Sequence, residues 1–345
     1  MVSHMFSGRA RIALAILVAL MLLVPAAGLF ASGSAEEGEE SGGSAAVVFG
    51  RGGLGDESFN DAAFRGLQRA GEELGISFDY AEPQAVAEFE PLLTQFAAQG
   101  GYDLIISIGF EQGEALGAVA QEFPEQQFAI IDTVVDQPNV ASYVYEEQER
   151  GFMMGAVAAL TTLDADDPMT NDLPRISVIG GVQSPLIDAN IAGFYAGAEF
   201  IDSEIEVSHA YVGSWADPAR GKEIAISMIE NGSDVVWGAA GRSGLGVLDA
   251  AMEQGVYGIG SDSDQSSVAP DHVLTNGMKL VDETVFIAIQ QTVNGEFQGG
   301  LNRLGVAEGA LGYTDSLLAE ETLERMEEVT AAIVNNEVDI PTTLD

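Results

Sequence analysis

Asp132 and Asp262 stand 130 positions apart, each closing a short apolar run. An ionised carboxylate accepts hydrogen bonds from two hydroxyls at once, which suits a vicinal diol such as that of ribose. The same group at a strand end also suits a helix cap. Lys279 follows another apolar run and is one of only two lysines, with Lys222. In so lysine-poor a chain it is a candidate polar contact in a cleft, or the partner of a local acid. Ser58-Phe59-Asn60 joins a glycine-rich loop to a helical pattern. Ser58 or Asn60 fits a helix N-cap. Phe59 beside an amide also fits a planar heterocycle, since the ring stacks and the amide both donates and accepts. Trp215, in Gly213-Ser-Trp-Ala-Asp-Pro218, holds a comparable strand-to-helix loop further on. Two such aromatics could clamp a flat ring or pack in a core. Ser243-Gly-Leu-Gly246 opens a helix whose free N–H groups could face a ligand. Glu111, Asp188 and Asp264 are further acids at strand ends.

Other chemistry is excluded by composition. There is no cysteine, so disulfides, thiolate metal sites and cysteine nucleophiles are ruled out. The histidines, His4, His209 and His272, are far apart in sequence, which disfavours a histidine metal site. Asp and Glu total 54 against 13 Lys and Arg, for a formal charge of −41. A chain so acidic has no basic surface for nucleic acid. The spread of its acids predicts that it needs salt to screen self-repulsion, as in a protein of saline origin. Gly50-Arg-Gly-Gly-Leu-Gly55 matches G-x-G-x-x-G in form. A dinucleotide fold would begin its helix among those glycines, whereas Asp56-Glu57 follows and would repel a pyrophosphate. The loop instead suits close approach of backbone to a neutral ligand, or a plain turn. No G-x-S-x-G, H-E-x-x-H or Walker lysine motif is present, so no enzyme activity and no cofactor are expected.

The elements that must position these residues alternate. Strands are predicted at Ala46–Phe49, Ser77–Tyr80, Leu104–Ile108, Phe128–Ile131 and Ala141–Tyr145. A second series runs Ile176–Ile179, Val207–Val212, Val235–Trp237, Tyr257–Ile259 and Val273–Thr275. Amphipathic helices lie between them, as at Asp61–Leu74, where Ala63, Leu67, Ala70 and Leu74 recur at helical spacing. This alternation predicts an α/β fold with parallel sheets flanked by helices. The two series also match each other at an offset near 130. Asn60 pairs with Asn190, Phe64 with Phe194, Gly101-Tyr-Asp103 with Gly232-Ser-Asp234, and Asp132 with Asp262. Two homologous lobes are therefore expected, with a cleft at the carboxyl ends of their strands. Residues 46–147 with about 267–305 are assigned to lobe one, and 148–266 with about 306–345 to lobe two. Hinges are placed near Glu146–Gln148 and after Gln265, and a helix at about Leu317–Asn335 on lobe two. At the N-terminus, Arg9 and Arg11 precede the apolar run Ile12–Val24. That pattern predicts a signal peptide over 1–32 and export of the remainder. An acidic, flexible linker is predicted over 33–45.

Together these loops resemble the basic membrane protein family of bacterial substrate-binding proteins, the purine nucleoside receptor A-like group. The resemblance is carried by Gly55-Asp-Glu-Ser-Phe-Asn-Asp61, Ile108-Gly-Phe110, Ile130-Ile-Asp132 and Tyr145-Glu-Glu-Gln-Glu149. It continues through Pro185-Leu-Ile-Asp188, Tyr211-Val-Gly-Ser-Trp-Ala-Asp-Pro-Ala-Arg-Gly-Lys222, Ala240-Gly-Arg-Ser-Gly-Leu-Gly-Val247 and Ile259-Gly-Ser-Asp-Ser-Asp-Gln265. It implies a two-lobed, type I periplasmic-binding fold that delivers a purine nucleoside to an ABC importer permease. Contact with the membrane would come only through that transporter or an uncleaved N-terminus. By the resemblance, Phe59 and Trp215 sandwich the base, and Asn60 and Asp132 bond its edges. Asp262 and Lys279 hold the ribose hydroxyls, Gly241 backbone contributes, Phe110 lines the pocket, and Ser58 belongs to the same site. Gly50 departs from a common Asp, and Arg242 from a common Gly. Ser32 stands where a lipobox Cys would be, so lipid attachment at that point is not expected. Riboflavin, another flat ring with a polyol tail, is the rival ligand for this scaffold.

Overall fold

The computed structural model describes residues 42–344. The predicted signal peptide and most of the predicted linker lie outside the described residues. The linker's last two residues, Ser44 and Ala45, are instead part of the first strand.

The first lobe is built from β1 (Ser44–Val48), α1 (Phe59–Leu74), β2 (Ser77–Ala81), α2 (Phe89–Gln99), β3 (Leu104–Ile108), α3 (Gly113–Glu122), β4 (Phe128–Ile131) and β5 (Val140–Tyr145). Its central strands, such as Leu-Ile-Ile-Ser-Ile in β3, are buried at every position. A sheet covered by helices on both faces requires such continuous apolar runs. The second lobe repeats the pattern after a long helix, α4 (Glu147–Thr162). It comprises β6 (Arg175–Gly180), α5 (Pro185–Ile201), β7 (Glu206–Tyr211), α6 (Pro218–Glu230), β8 (Val235–Ala239), α7 (Gly244–Gln254), β9 (Tyr257–Asp262) and β10 (Val273–Lys279). The chain ends with α8 (Val281–Val293), β11 (Gly300–Leu304), β12 (Leu311–Tyr313) and α9 (Glu320–Val334).

Each lobe holds one six-stranded sheet, in the orders β11-β5-β4-β3-β1-β2 and β12-β10-β9-β8-β6-β7. Adding five to each of β1–β5 in the first order, and one to β11, gives the second, so the internal repeat extends to topology. All pairings are parallel except β10 with β12.

One assignment made from the sequence needs correction. Residues 273–279 were expected in lobe one, but β10 hydrogen-bonds β9 in the second sheet. The chain returns to the first lobe only after Lys279, where α8 packs on α1 and β11 pairs with β5. It then crosses again, through 305–310, to β12 in the second sheet. Each lobe thus completes its own five-strand repeat before borrowing a sixth strand from the C-terminal region.

The start of α4 is fixed by backbone contact with α5. Gly151 and Gly155 lie against the carbonyls of Asn190 and Phe194, and Gly193 and Gly197 against those of Gln148 and Phe152. A Cβ at any of the four would sit 2.0–2.1 Å from a carbonyl oxygen. Only glycine permits so close an approach. The two helices are therefore locked in register, which matters because α4 carries two charged residues into the region between the lobes. Among the described residues no helix is long and apolar enough to cross a membrane.

Candidate functional site

A cleft of about 710 Å³, the open solvent at its mouth included, lies at the carboxyl ends of the strands of both sheets. Its walls come from the loops after β1, β3 and β4 in the first lobe, and from the start of α5, the loops after β7 and β8 and the end of β9 in the second. Two equivalent single turns, Phe110–Gln112 and Gly241–Ser243, face it after β3 and β8. Buried side chains fix both turns. Gln112 Nε2 donates to the carbonyls of Val48 (2.9 Å) and Ile108 (2.8 Å). Ser243 Oγ donates to Ser214 O (2.8 Å) and accepts from Asp217 N (2.9 Å).

The floor is an alternating array of charges. Lys279 Nζ donates to Asp132 Oδ1 and Glu147 Oε1, both at 2.6 Å. Arg150 Nη2 is 2.8 Å from Glu147 Oε2, and Arg150 Nη1 is bonded to Asp262 Oδ1. Asn190 closes the group, accepting from Arg150 Nε (3.0 Å) and donating to Glu147 Oε2 (2.8 Å). None of the five charged side chains is more than 10% exposed. Such charges persist in a low-dielectric interior only when paired and hydrogen-bonded. Burial alone would raise Glu147, but Arg150 and Lys279 hold it below its ordinary value. Burial would lower Lys279, but Asp132 and Glu147 keep it above its own. Asp132 is ion-paired with Lys279 alone, and burial raises it to about 6.

Asp132 (φ 75°) and Asp262 (φ 66°) both adopt left-handed backbone at the ends of their strands. Aspartate tolerates that conformation better than most residues, at a cost of about 1–3 kcal/mol. The repeat has kept the same turn and the same carboxylate at both positions. Asp262 also receives a hydrogen bond from Ser58 Oγ of the other lobe. Ser58 Oγ also lies 3.2 Å from Ser261 O, and Ser58 O accepts from Ser263 Oγ (3.3 Å). Ser58 is fully buried and forms this seam between the lobes; it does not line the cleft.

The start of α1 is capped by Asp56, not by the Ser58 or Asn60 side chain. Asp56 accepts from the backbone N–H of Ser58 (2.9 Å), Asn60 (2.9 Å) and Asp61 (3.1 Å). It also accepts from Asn60 Nδ2 at 3.0 Å, while Asn60 Oδ1 takes the N–H of Gly50 at 2.9 Å. The amide of Asn60 is thereby oriented, with one N–H and one lone pair still available. Burial raises Asp56 to about 6 in spite of these donors.

Phe59, Asn60, Phe110, Asp132, Trp215, Gly241, Asp262 and Lys279 all line the one cleft. The aromatic pairing differs from expectation. Trp215 meets Phe110, edge to face, with ring centroids 6.4 Å apart. Phe59 lies beside Lys279, whose Nζ is 5.0 Å from the ring centroid, with Tyr145 also near that Nζ at 4.6 Å. Nor are the loops of Phe59 and Trp215 equivalent. Phe59 follows the first strand of its lobe, whereas Trp215 follows β7, the second of its own. The repeat-mate of Asn60 is Asn190, inside α5. Trp215 is seated on Gly181, where a Cβ would meet its ring at 2.4 Å.

Glu147, Arg150, Asn190 and Asp56 were not singled out from the sequence as site residues. The available signal was Glu147-Gln-Glu-Arg150 immediately before the uncharged run Gly151–Leu163. An arginine at the head of a helix buried on nearly all sides needs buried carboxylates to pair with. Arg51, paired with Glu111, and the exposed Arg242 complete the mouth. Among the described residues no group of His, Asp and Glu is placed to hold a metal ion.

A family model described as ABC transporter substrate-binding protein PnrA-like matches residues 44–343. An uncharacterized lipoprotein of Pyrococcus horikoshii is 32% identical over 321 residues, covering 89% of this chain and 78% of the relative. Basic membrane protein A1 of Borrelia garinii is 30% identical over 296 residues, covering 83% and 85%. Among solved structures, an ABC transporter solute-binding protein from Aeropyrum pernix superposes with a TM-score of 0.79 at 29% identity. That match covers 88% of this chain and 94% of the other. The fold is accordingly the two-lobed, type I periplasmic-binding architecture.

Proposed function

Because the chain belongs to the PnrA-like family of ABC transporter substrate-binding proteins, we propose that its own ligand is a purine nucleoside, taken up outside the cytoplasm. The observation that carries this reading is the pairing of Phe110 and Trp215 from opposite lobes above a floor of carboxylates. A flat ring entering between such side chains gains stacking and apolar burial. Asn60 offers one free donor and one free acceptor, and Asp132 Oδ2 has no protein donor among the described residues. These groups suit the hydrogen-bonding edge of a purine. Each oxygen of Asp262 already accepts one protein hydrogen bond. Ribose hydroxyls would use its remaining lone pairs, together with the third N–H of Lys279.

Capture then proceeds by closure. The three crossovers between sheets, near 146, 280 and 305–310, form the hinge. The closed form would be the one a permease engages. Export agrees with the lipoprotein relatives and with the predicted leader, although this chain has no cysteine to carry a lipid.

Calorimetric titration tests the reading, after unfolding and refolding in molar salt to remove any co-purified ligand. Adenosine, guanosine, inosine, cytidine, adenine and riboflavin are compared. Purine nucleosides are expected to bind at least about tenfold more tightly than adenine, the worth of one good polar contact. Binding of riboflavin alone would keep the family and replace the ligand.

A further inference from the structure

We infer that the ligand carries an anionic group at the end facing the mouth of the cleft, and that Arg242 recognises it. This rests on the nucleoside reading above and narrows it to a nucleoside bearing a 5′-phosphate monoester. Every other lysine and arginine among the described residues is held by a carboxylate, except Arg65, which donates to Ser263 Oγ. Arg242 alone has no protein partner among those residues, in a chain of net charge −41. It is exposed and lines the same cleft as Gly241 and Trp215. A guanidinium offers a planar fork of donors that matches a phosphate in two-point contact.

The charges around the cleft are also sorted by depth. The buried interior holds Asp56, Asp132, Glu147 and Asp262 against only Lys279 and Arg150. Of the residues that line the cleft, the charged ones nearer solvent are Arg51 and Arg242 against Glu111. Acid thus exceeds base inside, and base exceeds acid at the rim. A molecule with hydrogen-bond donors at its inner end and an oxyanion at its outer end complements both. The rest of this acidic surface repels an anion, so a local cation is needed to retain one.

The test compares adenosine, adenosine 5′-monophosphate and inorganic phosphate on the wild type, Arg242→Ala and Arg242→Lys. The wild type is expected to bind the monophosphate at least as tightly as adenosine. Arg242→Ala is expected to lower the ratio of monophosphate to adenosine affinity by about 10–100-fold, the range for a charge-assisted hydrogen bond. Arg242→Lys should restore part of that ratio, and inorganic phosphate alone should bind weakly. An unchanged ratio in Arg242→Ala would overturn the inference and leave the nucleoside reading intact. So would a wild type that binds adenosine but rejects the monophosphate. Monophosphate binding that needs Arg242, with none for adenosine, would uphold the inference and correct the nucleoside reading. Silence from both nucleoside ligands would overturn both.

Discussion

Asp132 and Glu147 share one ammonium group, yet they differ in how firmly they hold their charge. Glu147 lies between two cations and stays ionised. Asp132 is directly paired with Lys279 alone, and burial raises its carboxyl to about 6, as it does that of Asp56 beside Asn60. A group raised on folding binds its proton more tightly in the folded state. Its ionisation therefore costs stability at neutral pH, and that cost is relieved as pH falls through about 6. Affinity should follow the opposite course. A protonated Asp132 no longer offers Lys279 a counter-charge or a ligand donor two free lone pairs. Between about pH 7.5 and 5.5, purine nucleoside binding is expected to weaken by up to about tenfold per unit below 6, while the melting temperature holds or rises. Asp132→Asn should remove most of that dependence in calorimetry. A profile unaltered by this substitution would transfer the effect to Asp56.

The four glycines shared by α4 and α5 set where Glu147 and Arg150 stand relative to Asn190. Gly193→Ala would place a methyl group 2.1 Å from the carbonyl oxygen of Gln148. Overpacking of this kind costs about 1–3 kcal/mol or more. The cost should appear as a lower denaturation midpoint, with a loss of ligand affinity because the floor array shifts with α4. Much of this architecture was legible beforehand. Fully buried strands such as β3 and β4 are plain apolar runs, and the repeat near 130 predicted two lobes with an Asp at matching strand ends. β11 and β12 were not foreseen. Gly300-Leu-Asn-Arg-Leu304 is an exposed edge with no apolar run, and β12 is only three residues long. The lobe of β10 was misassigned because an apolar strand carries no mark of which sheet it joins. In the site, residues on loops at strand ends were recognisable by type and place. Arg150 and Asp56 were not, because their roles arise from partners brought together only by packing.

At the scale of the molecule, charge and topology both have consequences. α9 carries Glu320, Glu321, Glu324, Glu327 and Glu328 against Arg325 alone, and the same imbalance runs across the chain. Screening should relieve that repulsion, with a Debye length of about 3 Å at 1 M salt against about 10 Å at 0.1 M. The melting temperature is therefore expected to rise between about 0.1 M and 2 M NaCl. A flat or falling response in calorimetry would show that the acids are tolerated without salt. The strands exchanged late in the chain bear on how the protein is made. Leu301 pairs with Ser142, and Gly312 with Met278. A chain delivered from its N-terminus could form the first five strands of lobe one early, but its sheet stays one strand short, with β5 as an open edge, until residue 304 has emerged. Closing a loop of that length is slow. Through most of its synthesis and passage across a membrane, then, the chain would remain an unfinished and pliable substrate for the machinery that carries it. It would become a rigid, two-lobed body only after nearly all of it had arrived.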